Sequence, residues 1–465
     1  MSNIRIKFKN EKTVPLEVIP HSTSLHQFAF IKANSTDSDE DYDDPFYLMD
    51  VKRLADRYQL WRDTLPSIKP YYGTYIVHCI VLCIVGIAQH TLGNILLANL
   101  WLLRSSVKCN EDPVLLSLLS HLGTGFDCAS KGEISHLLEM GISPGDIIFA
   151  HPCKQISHIK YAARNGISLV TFDNEMELHK MATHHSNAKL VVRICADDSI
   201  ARAQLGVKFG RSVADACSLL NDAKRLQLQV IGVCFHLGTR CQTPDAYRIA
   251  LEMAHEVFEY ADTVGYHFNF LDIGGGFPGS DTELALFQEV ASTINLSIGR
   301  LFSDRHDLNI IAEPGRYFAS SCFSLAVQVT SKRLPSSENE SFMYYVNDGV
   351  YGSFNCLIHD PAKVQPKVLE GPTVTSSSNP TYSCVIWGPT CARRDKVCTA
   401  LLPEVTVGDW IQFEDMGAYT ISGHSNFNGF SRPKVFYCLR EEDKESFEDV
   451  FRNILTSRSS LSSPS

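Results

Sequence analysis

Short runs of β-branched and aromatic residues recur between residues 105 and 316, and each is followed by a stretch with helical character. The runs are SSVKC, TGFDC, IIFA, SLVTF, KLVVRIC, QVIGVCFH, NFLDI and LNIIAE. SKGEISHLLEM begins with serine and glutamate in capping-box spacing, and DNEMELHKMATHH begins similarly. Eight such β/α units predict a (β/α)₈ barrel. An open doubly wound sheet is the alternative, although no GxGxxG motif follows the first strand.

The pattern changes after residue 316, where apolar segments are separated by glycine, proline and serine. The segments are CFSLAVQVTSKRL, FMYYVNDGV, SCVIWGP, DWIQFEDMG and KVFYCLR. Their β-branched and aromatic content predicts an all-β domain. We therefore expect a barrel over 46–316 and a β-sandwich or barrel-like domain over 317–440. Residues 1–45 are expected to contribute to the β-domain, and 441–465 to form a polar tail.

The net charge and the cysteine pattern exclude several classes of protein. A net charge of −10 fits poorly with binding to a nucleic acid, which needs clustered lysine and arginine. The fifteen cysteines include no CxxC pair, and the N-terminus carries charges without the apolar core of a secretion signal. We therefore expect reduced cysteines in a cytoplasmic protein, with neither a disulfide framework nor a metal site.

Polar residues stand at the ends of five predicted strands, where a barrel carries its chemistry. They are Lys108, Asp127, His236, Gly274–Gly276 and Glu313. Each alone has an ordinary structural explanation, such as a solvated lysine or a tight glycine turn. Together they form a chemical set: lysine can form a Schiff base, glycine N–H groups can bind a phosphate, and a carboxylate can hold a ring N–H. That combination points to pyridoxal phosphate.

The chain also carries long motifs, namely VKCN, GTGFDCASKGE, CFHLG, LDIGGGFPG, AEPGRY, MYYVNDGVYGSFNC, WGPTC, VGDW and MGAYT. These resemble the eukaryotic ornithine decarboxylase family, which includes the antizyme inhibitors, over about residues 46–72 and 106–440. The resemblance implies a pyridoxal-phosphate-binding barrel of the TIM type with a C-terminal β-domain. It also implies a homodimer whose active sites are shared between subunits.

The same resemblance assigns cofactor residues. It implies that Lys108 is the Schiff-base lysine, that Glu313 keeps the pyridine nitrogen protonated, and that His236 stacks on the ring. The residues implied to bind the phosphate are Thr239, Gly275, Gly276, Arg316 and Tyr419. Those implied to lie near the lysine are Asp127 and Glu133.

For the substrate, the resemblance implies that Cys391, reaching across the dimer, is the proton donor after loss of CO₂. Asp360 and Tyr351 match residues of the substrate site. The chain departs from the family where WGPTC is followed by Ala392 instead of an aspartate that grips the distal amine of ornithine. Loss of that carboxylate favours a shift toward a neutral amino acid. The alternative is that Asp360 or Asp395 suffices and ornithine remains the substrate.

Two further departures affect the barrel. Gln204 stands where the family has an arginine, which removes a charge that acts near Asp127. Residues 73–106 are an apolar insertion within or directly before the strand that carries Lys108, because the family runs from Tyr72 to Val107 with one residue between. The insertion is explained by an unspliced intron or gene-model error, by a tolerated loop, or by a membrane span. A span is disfavoured, since the barrel must close around this strand.

These observations predict a pyridoxal-phosphate-dependent L-amino-acid decarboxylase, or carboxy-lyase, that resembles ornithine decarboxylase, which makes putrescine for polyamine biosynthesis. The alternative is a catalytically weak, antizyme-inhibitor-like protein that binds antizyme. The segment from Cys153 to Lys189, with Lys160 and Lys180, resembles the antizyme-binding region of the family. An amino-acid racemase is disfavoured by the WGPTC cysteine.

Overall fold

The computed structural model describes residues 4–8, 12–35, 43–73, 109–196, 206, 208–239, 241, 243–337, 340–359, 362–370 and 380–457. Lys108, Gln204, Asp360 and nearly all of the insertion 73–106 lie outside these ranges. Within them, no helix has both the length and the apolar character needed to cross a bilayer. The described cysteines are all free.

The N-terminal part of the chain forms three strands and two helices. They are β1 (Ile4–Lys7), β2 (Thr13–Ile19), α1 (Leu25–Ala33), β3 (Phe46–Asp50) and α2 (Val51–Thr64). Asp50 caps α2, because its carboxylate accepts the backbone N–H groups of Lys52 and Arg53 at 3.1 Å each. Helix α2 is anchored by Trp61, which is fully buried and donates its indole N–H to the carbonyl of Ile68 at 3.0 Å.

Eight parallel strands of the described chain close into a barrel. They are β4 (Ile68–Tyr72), β5 (Gly125–Cys128), β6 (Ile147–Phe149), β7 (Leu169–Phe172), β8 (Lys189–Arg193), β9 (Gln229–Cys234), β10 (Phe270–Asp272) and β11 (Asn309–Ala312). The barrel confirms the fold class and excludes the open sheet. The first strand is IKPYY, where we had expected SSVKC, of which only Cys109 is described. Its lysine and proline hid the strand from a pattern based on β-branched residues.

Helices alternate with these strands and pack outside them. They are α3 (Pro113–His121), α4 (Lys131–Glu139), α5 (Ile156–Arg164), α6 (Glu175–His184), α7 (Val213–Arg225), α8 (Pro244–Thr263) and α9 (Leu284–Leu301). The capping box predicted from SKGE is present at the start of α4, between Ser130 and Glu133. At α6 only half of it forms: Asn174 accepts the N–H of Glu177, whose carboxylate instead binds Lys154.

The rest of the described chain is mainly β-structure. Its elements are α10 (Gly315–Ala319), β12 (Phe323–Arg333), β13 (Phe342–Val346), α11 (Cys356–His359), β14 (Pro366–Val368), β15 (Thr381–Trp387), β16 (Lys396–Pro403), β17 (Trp410–Phe413), β18 (Lys434–Arg440), α12 (Lys444–Phe451) and β19 (Leu455–Ser457). Strands β12–β19 join β1–β3 in one mixed sheet, in which β3 pairs with β12 and β18. The segment expected to be a polar tail therefore contains α12 and β19.

A buried ion pair holds α6 against the barrel. The ammonium of Lys154 lies 2.7 Å from the carboxylate of Glu177 and also donates to the carbonyls of Thr171 and His151, at 2.7 and 3.0 Å. Both charged side chains are almost completely buried. Burial lowers the pKa of Lys154, and the neighbouring Glu177 opposes this shift. Removal of either side chain would therefore leave the other charge buried without its partner.

We predict that Glu177→Gln lowers the free energy of unfolding by about 3–5 kcal/mol, because it leaves the Lys154 ammonium buried without its countercharge. The matched control is Glu175→Gln on the same helix, where the carboxylate is exposed and the cost should stay within about 0.5 kcal/mol. Urea denaturation of the two variants measures the difference. Equal stabilities would contradict the assignment.

Candidate active site

A cleft with about 360 Å³ of empty space opens at the carboxyl ends of the barrel strands. It is lined by Gly73, Asp127, His236, Thr239, Gly276, Phe277, Glu313, Gly315, Arg316 and Tyr419. Seven of these had been singled out from the sequence. They converge because parallel strands of a closed barrel all end at the same rim.

The glycine run after β10 forms one wall of the cleft. Gly274 and Gly276 have φ values of +64° and +104°, which disfavour any residue with a Cβ. A Cβ on Gly275 would lie 2.8 Å from both the carbonyl oxygen of Glu313 and Nε2 of His236. Only glycine therefore lets the backbone pass between these two groups. The arrangement suits an anion, since glycine backbone N–H groups can approach it without side-chain obstruction.

His236 follows β9 and faces this loop. Its Nδ1 accepts the backbone N–H of Gly238 at 3.0 Å. A ring nitrogen that accepts a hydrogen bond carries no proton, so a neutral imidazole here has its proton on Nε2. The side chain is thereby fixed beside Gly275, where it lines the cleft.

Arg316 and Tyr419 bring a cation and an aromatic ring to the cleft. The guanidinium of Arg316 lies 5.0 Å from the centre of the Tyr419 ring, in a cation–π contact. Arg316 is supplied by α10, directly after the strand end that carries Glu313, whereas Tyr419 comes from the loop after β17. Tyr419 has a φ of +59°, a strained conformation for a residue with a side chain. The β-domain thus completes the barrel's anion site.

Two predicted cofactor residues do not line the cleft. Glu133 is buried and accepts the backbone N–H groups of Ala129 and Ser130 at 2.5 and 3.2 Å, as part of the α4 capping box. Gly275 lies behind the lining, and its carbonyl accepts the hydroxyl of Tyr247 at 3.1 Å. Neither role assigned to them from the resemblance is tested by these contacts.

Lys108 itself lies outside the described residues, but its neighbour Cys109 is buried at the cleft. The carbonyl of Cys109 accepts the backbone N–H of Tyr419 at 2.9 Å and the hydroxyl of Ser422 at 3.2 Å. A Cβ on Gly315 would lie 3.0 Å from the carbonyl oxygen of Gly73 and 3.2 Å from Cβ of Cys109. The two described flanks of the apolar segment therefore meet at the same point of the cleft wall.

Sequence reasoning missed Asp272, the last residue of β10 and 1% exposed. Burial raises its pKa well above the usual range, and the neighbouring Glu313 raises it further. The available signal was a carboxylate at the end of a buried strand, two residues before the run of three glycines. Tyr247 on α8 was also missed, and no local pattern marks it.

Tyr351, a predicted substrate residue, lies in the β-domain at a second pocket with about 400 Å³ of empty space. Tyr351 lines this pocket and stacks on Phe427 with ring centres 4.5 Å apart. Cys391 is exposed and follows Thr390, another lining residue. The structure brings neither Cys391 nor Tyr351 into the cleft of the same chain, and Asp360 lies outside the described residues.

The carboxylate of Asp395 stabilises the loop after β15 through hydrogen bonds. It is 1% exposed, and one carboxylate oxygen accepts the N–H of Val350 at 2.7 Å. The other oxygen accepts the N–H and the hydroxyl of Thr390 at 2.9 and 2.6 Å. Both oxygens are thus used inside the loop, which weighs against Asp395 as the replacement for a carboxylate at position 392.

The cleft as a whole fits pyridoxal phosphate. It offers a glycine loop and an arginine for a phosphate, a carboxylate for a protonated ring nitrogen, and an imidazole beside the space between them. No other group needs to be invoked to use these residues.

Comparison with known proteins agrees with this chemistry. Residues 100–320 match the family model for the pyridoxal binding domain of pyridoxal-dependent decarboxylases. The chain is 43% identical to antizyme inhibitor 2 of Xenopus laevis, over 85% of this chain and 81% of that protein. It is 41% identical to ornithine decarboxylase of Mus musculus, over 88% and 83%.

Among solved structures, the arginine decarboxylase of Paramecium bursaria Chlorella virus bound to agmatine superposes with a TM-score of 0.75 at 33% identity, covering 88% of this chain and 98% of that one. The family, the fold and the cofactor inferred from the sequence are thereby confirmed. The chain belongs to the pyridoxal-phosphate-dependent decarboxylases of the ornithine, lysine and arginine class, a family that also includes the antizyme inhibitors.

Proposed function

We propose that this protein is a cytoplasmic L-amino-acid decarboxylase of polyamine metabolism. The observation that carries the proposal is the cleft, in which the glycine loop, Arg316, Glu313 and His236 lie together as the chemistry requires. The free cysteines support a reducing compartment.

In this proposal the chain's own residues divide the work. Gly275, Gly276, Thr239, Arg316 and Tyr419 bind the phosphate, and His236 holds the ring in place. Glu313 keeps the ring nitrogen protonated, and Lys108 supplies the amine that binds the cofactor covalently. Bound pyridoxal phosphate supplies an electron sink for the bond to CO₂. Asp127, which is buried and lines the cleft, lies beside the flanks of the segment that carries Lys108.

We further propose that the active form is a homodimer. Cys391 and Tyr351 lie around the second pocket in the β-domain and not in the cleft of their own chain. They can act at the cleft of a second subunit if a two-fold axis brings this pocket to it. Cys391 would then deliver the proton that replaces the lost carboxyl group.

For the substrate, we propose a shift toward a neutral aliphatic amino acid. Ala392 provides no carboxylate, and Asp395 is buried with both oxygens engaged. Only Asp360 then remains of the candidate partners for a distal ammonium. A single carboxylate supports such a charge poorly when it is removed from water.

We predict that Ala392→Asp, introduced into a parent form that lacks residues 73–105, raises kcat/KM for ornithine by about tenfold or more relative to that parent, because it restores a countercharge worth at least about 1.4 kcal/mol. Ala392→Asn is the matched control, with the same size but no charge, and should leave ornithine turnover near the parent value. CO₂ release from ornithine, lysine and neutral aliphatic amino acids measures the change. A parent protein that acts only on ornithine and lysine would refute the proposed shift.

The insertion gives a second prediction. A shortened form that lacks residues 73–105 joins Tyr72 to Ser106, and its flanks already meet at Gly315. We expect this form to bind pyridoxal phosphate and release CO₂, because it restores the unbroken strand before Lys108, whereas the full chain should show little activity. Visible absorbance of the bound cofactor and CO₂ release measure both steps. The control is Lys108→Ala in the shortened form, which should abolish both signals. Equal activity of the full chain would make the insertion a tolerated loop.

Antizyme binding is the second candidate function, and the 43% identity to an antizyme inhibitor favours it. On the segment that resembles the binding region, Lys160 is exposed on α5. Lys180 is instead engaged within the chain, where its ammonium pairs with Glu177 and donates to the carbonyl of Lys154 at 2.5 Å. Lys160 is therefore the better placed of the two to contact a partner.

We predict that Lys160→Glu weakens binding to antizyme by about tenfold, since it reverses an exposed charge at the contact. Lys12→Glu, an exposed lysine that precedes β2 and lies outside this segment, is the control and should bind as the parent does. Surface plasmon resonance on purified proteins gives the two dissociation constants. Failure of the parent to bind antizyme would remove this candidate, independently of any decarboxylase activity.

A further inference from the structure

Asp272 places a carboxyl group inside the barrel, below the cleft. It is aligned with Cys234 on β9 and with Ile311 on β11. Both neighbours belong to the inner apolar cluster, as does Phe270 two positions earlier on the same strand. Because alternate residues of a strand share a face, Asp272 points into the barrel interior. Its exposure of 1% confirms that water does not reach it freely.

The carboxyl group contacts both halves of the cofactor site. One oxygen, Oδ1, accepts the backbone N–H of Gly274 at 2.9 Å, which holds the start of the glycine loop. Glu313 lies beside the same loop residue, because its backbone N–H donates to the carbonyl of Gly274 at 2.6 Å, and a hydrogen bond between the two carboxyl groups contributes to the raised pKa of Asp272. The loop assigned to the phosphate and the carboxylate assigned to the ring nitrogen are thus joined through one buried residue.

Two carboxyl groups that hydrogen-bond to each other must share a proton, since a bond between two carboxylates has no donor. The surrounding barrel residues determine which of the two carboxyl groups, Asp272 or Glu313, holds the proton. Asp272 interacts electrostatically with Asp127 on β5, Cys234 on β9 and Tyr71 on β4. Arg193 on β8 interacts electrostatically with Cys234. Asp272 is the more deeply buried acid, whereas Glu313 is partly exposed and lines the cleft. Burial therefore favours the neutral form at Asp272.

We propose that Asp272 is a positioning residue that acts as a neutral carboxylic acid: Oδ2–H donates to the Glu313 carboxylate while Oδ1 accepts the Gly274 N–H. The effect of Asp272 on cofactor binding rests on the proposed function, whereas its protonation state does not. The pair carries one negative charge, which matches one protonated ring nitrogen. The hydrogen bond also fixes the orientation of the Glu313 carboxylate. Without it, rotation of that side chain would weaken its contact with the cofactor.

Substitution tests the protonation state through binding. Asp272→Asn keeps a donor toward Glu313 and an acceptor for Gly274, but it cannot ionise. We expect this variant to bind pyridoxal phosphate within about threefold of the parent, whereas Asp272→Leu, which has neither group, should bind about tenfold or more weakly. Equilibrium dialysis on the shortened, cofactor-binding form gives the dissociation constants. If Asp272→Asn fails as badly as Asp272→Leu, or if Asp272→Leu binds like the parent, the inference is overturned.

A second measurement needs no bound cofactor. A protonated carboxyl group gives an infrared carbonyl band that a carboxylate lacks, so the cofactor-free parent should show this band at neutral pH and Asp272→Asn should lose it. Asp307→Asn is the control, because His267 lowers the pKa of Asp307 and keeps it ionised. Persistence of the full band in Asp272→Asn overturns the inference. A parent that shows the band but binds no pyridoxal phosphate would refute the proposed function and leave the protonated Asp272 standing.

Discussion

Closure of the parallel barrel is the constraint on which the site depends. The cleft is built from strand ends that lie far apart in the sequence, from Asp127 to Arg316, and they meet only because the ring has a single carboxyl-terminal rim. The pairing of β11 with β4 completes the ring. It brings Glu313 and Gly73 together, so that the end of the barrel's first strand and the end of its last strand form one wall.

The β-domain is the second fixed part of this arrangement. Its loop after β17 bonds to the chain just beyond Lys108: Tyr419 donates to Cys109, and Asn110 donates its side-chain amide to the carbonyl of Gly417 at 2.9 Å. Further along, the hydroxyl of Tyr437 donates to the carboxylate of Asp112 at 2.8 Å. Three contacts in succession thus hold the start of α3. The chain at Cys109 is therefore held in place by contacts with the β-domain.

Charge is distributed unevenly between the two pockets. Among the described residues that line the cleft, the acidic side chains are influenced by burial and by one another. The arginine of this set, Arg316, faces the ring of Tyr419. In the loop after β15, position 392 is an alanine, and the buried Asp395 accepts hydrogen bonds from the backbone N–H of Val350 and from the backbone N–H and hydroxyl of Thr390. A buried aspartate that is fully hydrogen-bonded holds a loop rather than a ligand.

The sequence by itself favoured the class of fold, because the alternation of apolar runs and capped helices between Gly125 and Ala312 is typical of a barrel, and closure of the sheet in the structure excluded the open alternative. It also identified most of the cleft, since Asp127, His236, Gly276, Glu313 and Arg316 belong to local motifs at strand ends. It could not place the first strand, whose Lys-Pro pair breaks the pattern. The role of Asp272 was missed although its motif was visible, and the sequence could neither separate Glu133 from the cleft nor show that both oxygens of Asp395 are engaged. Those outcomes depend on contacts between residues distant along the chain, which exist only once the barrel has closed and the β-domain has packed on it.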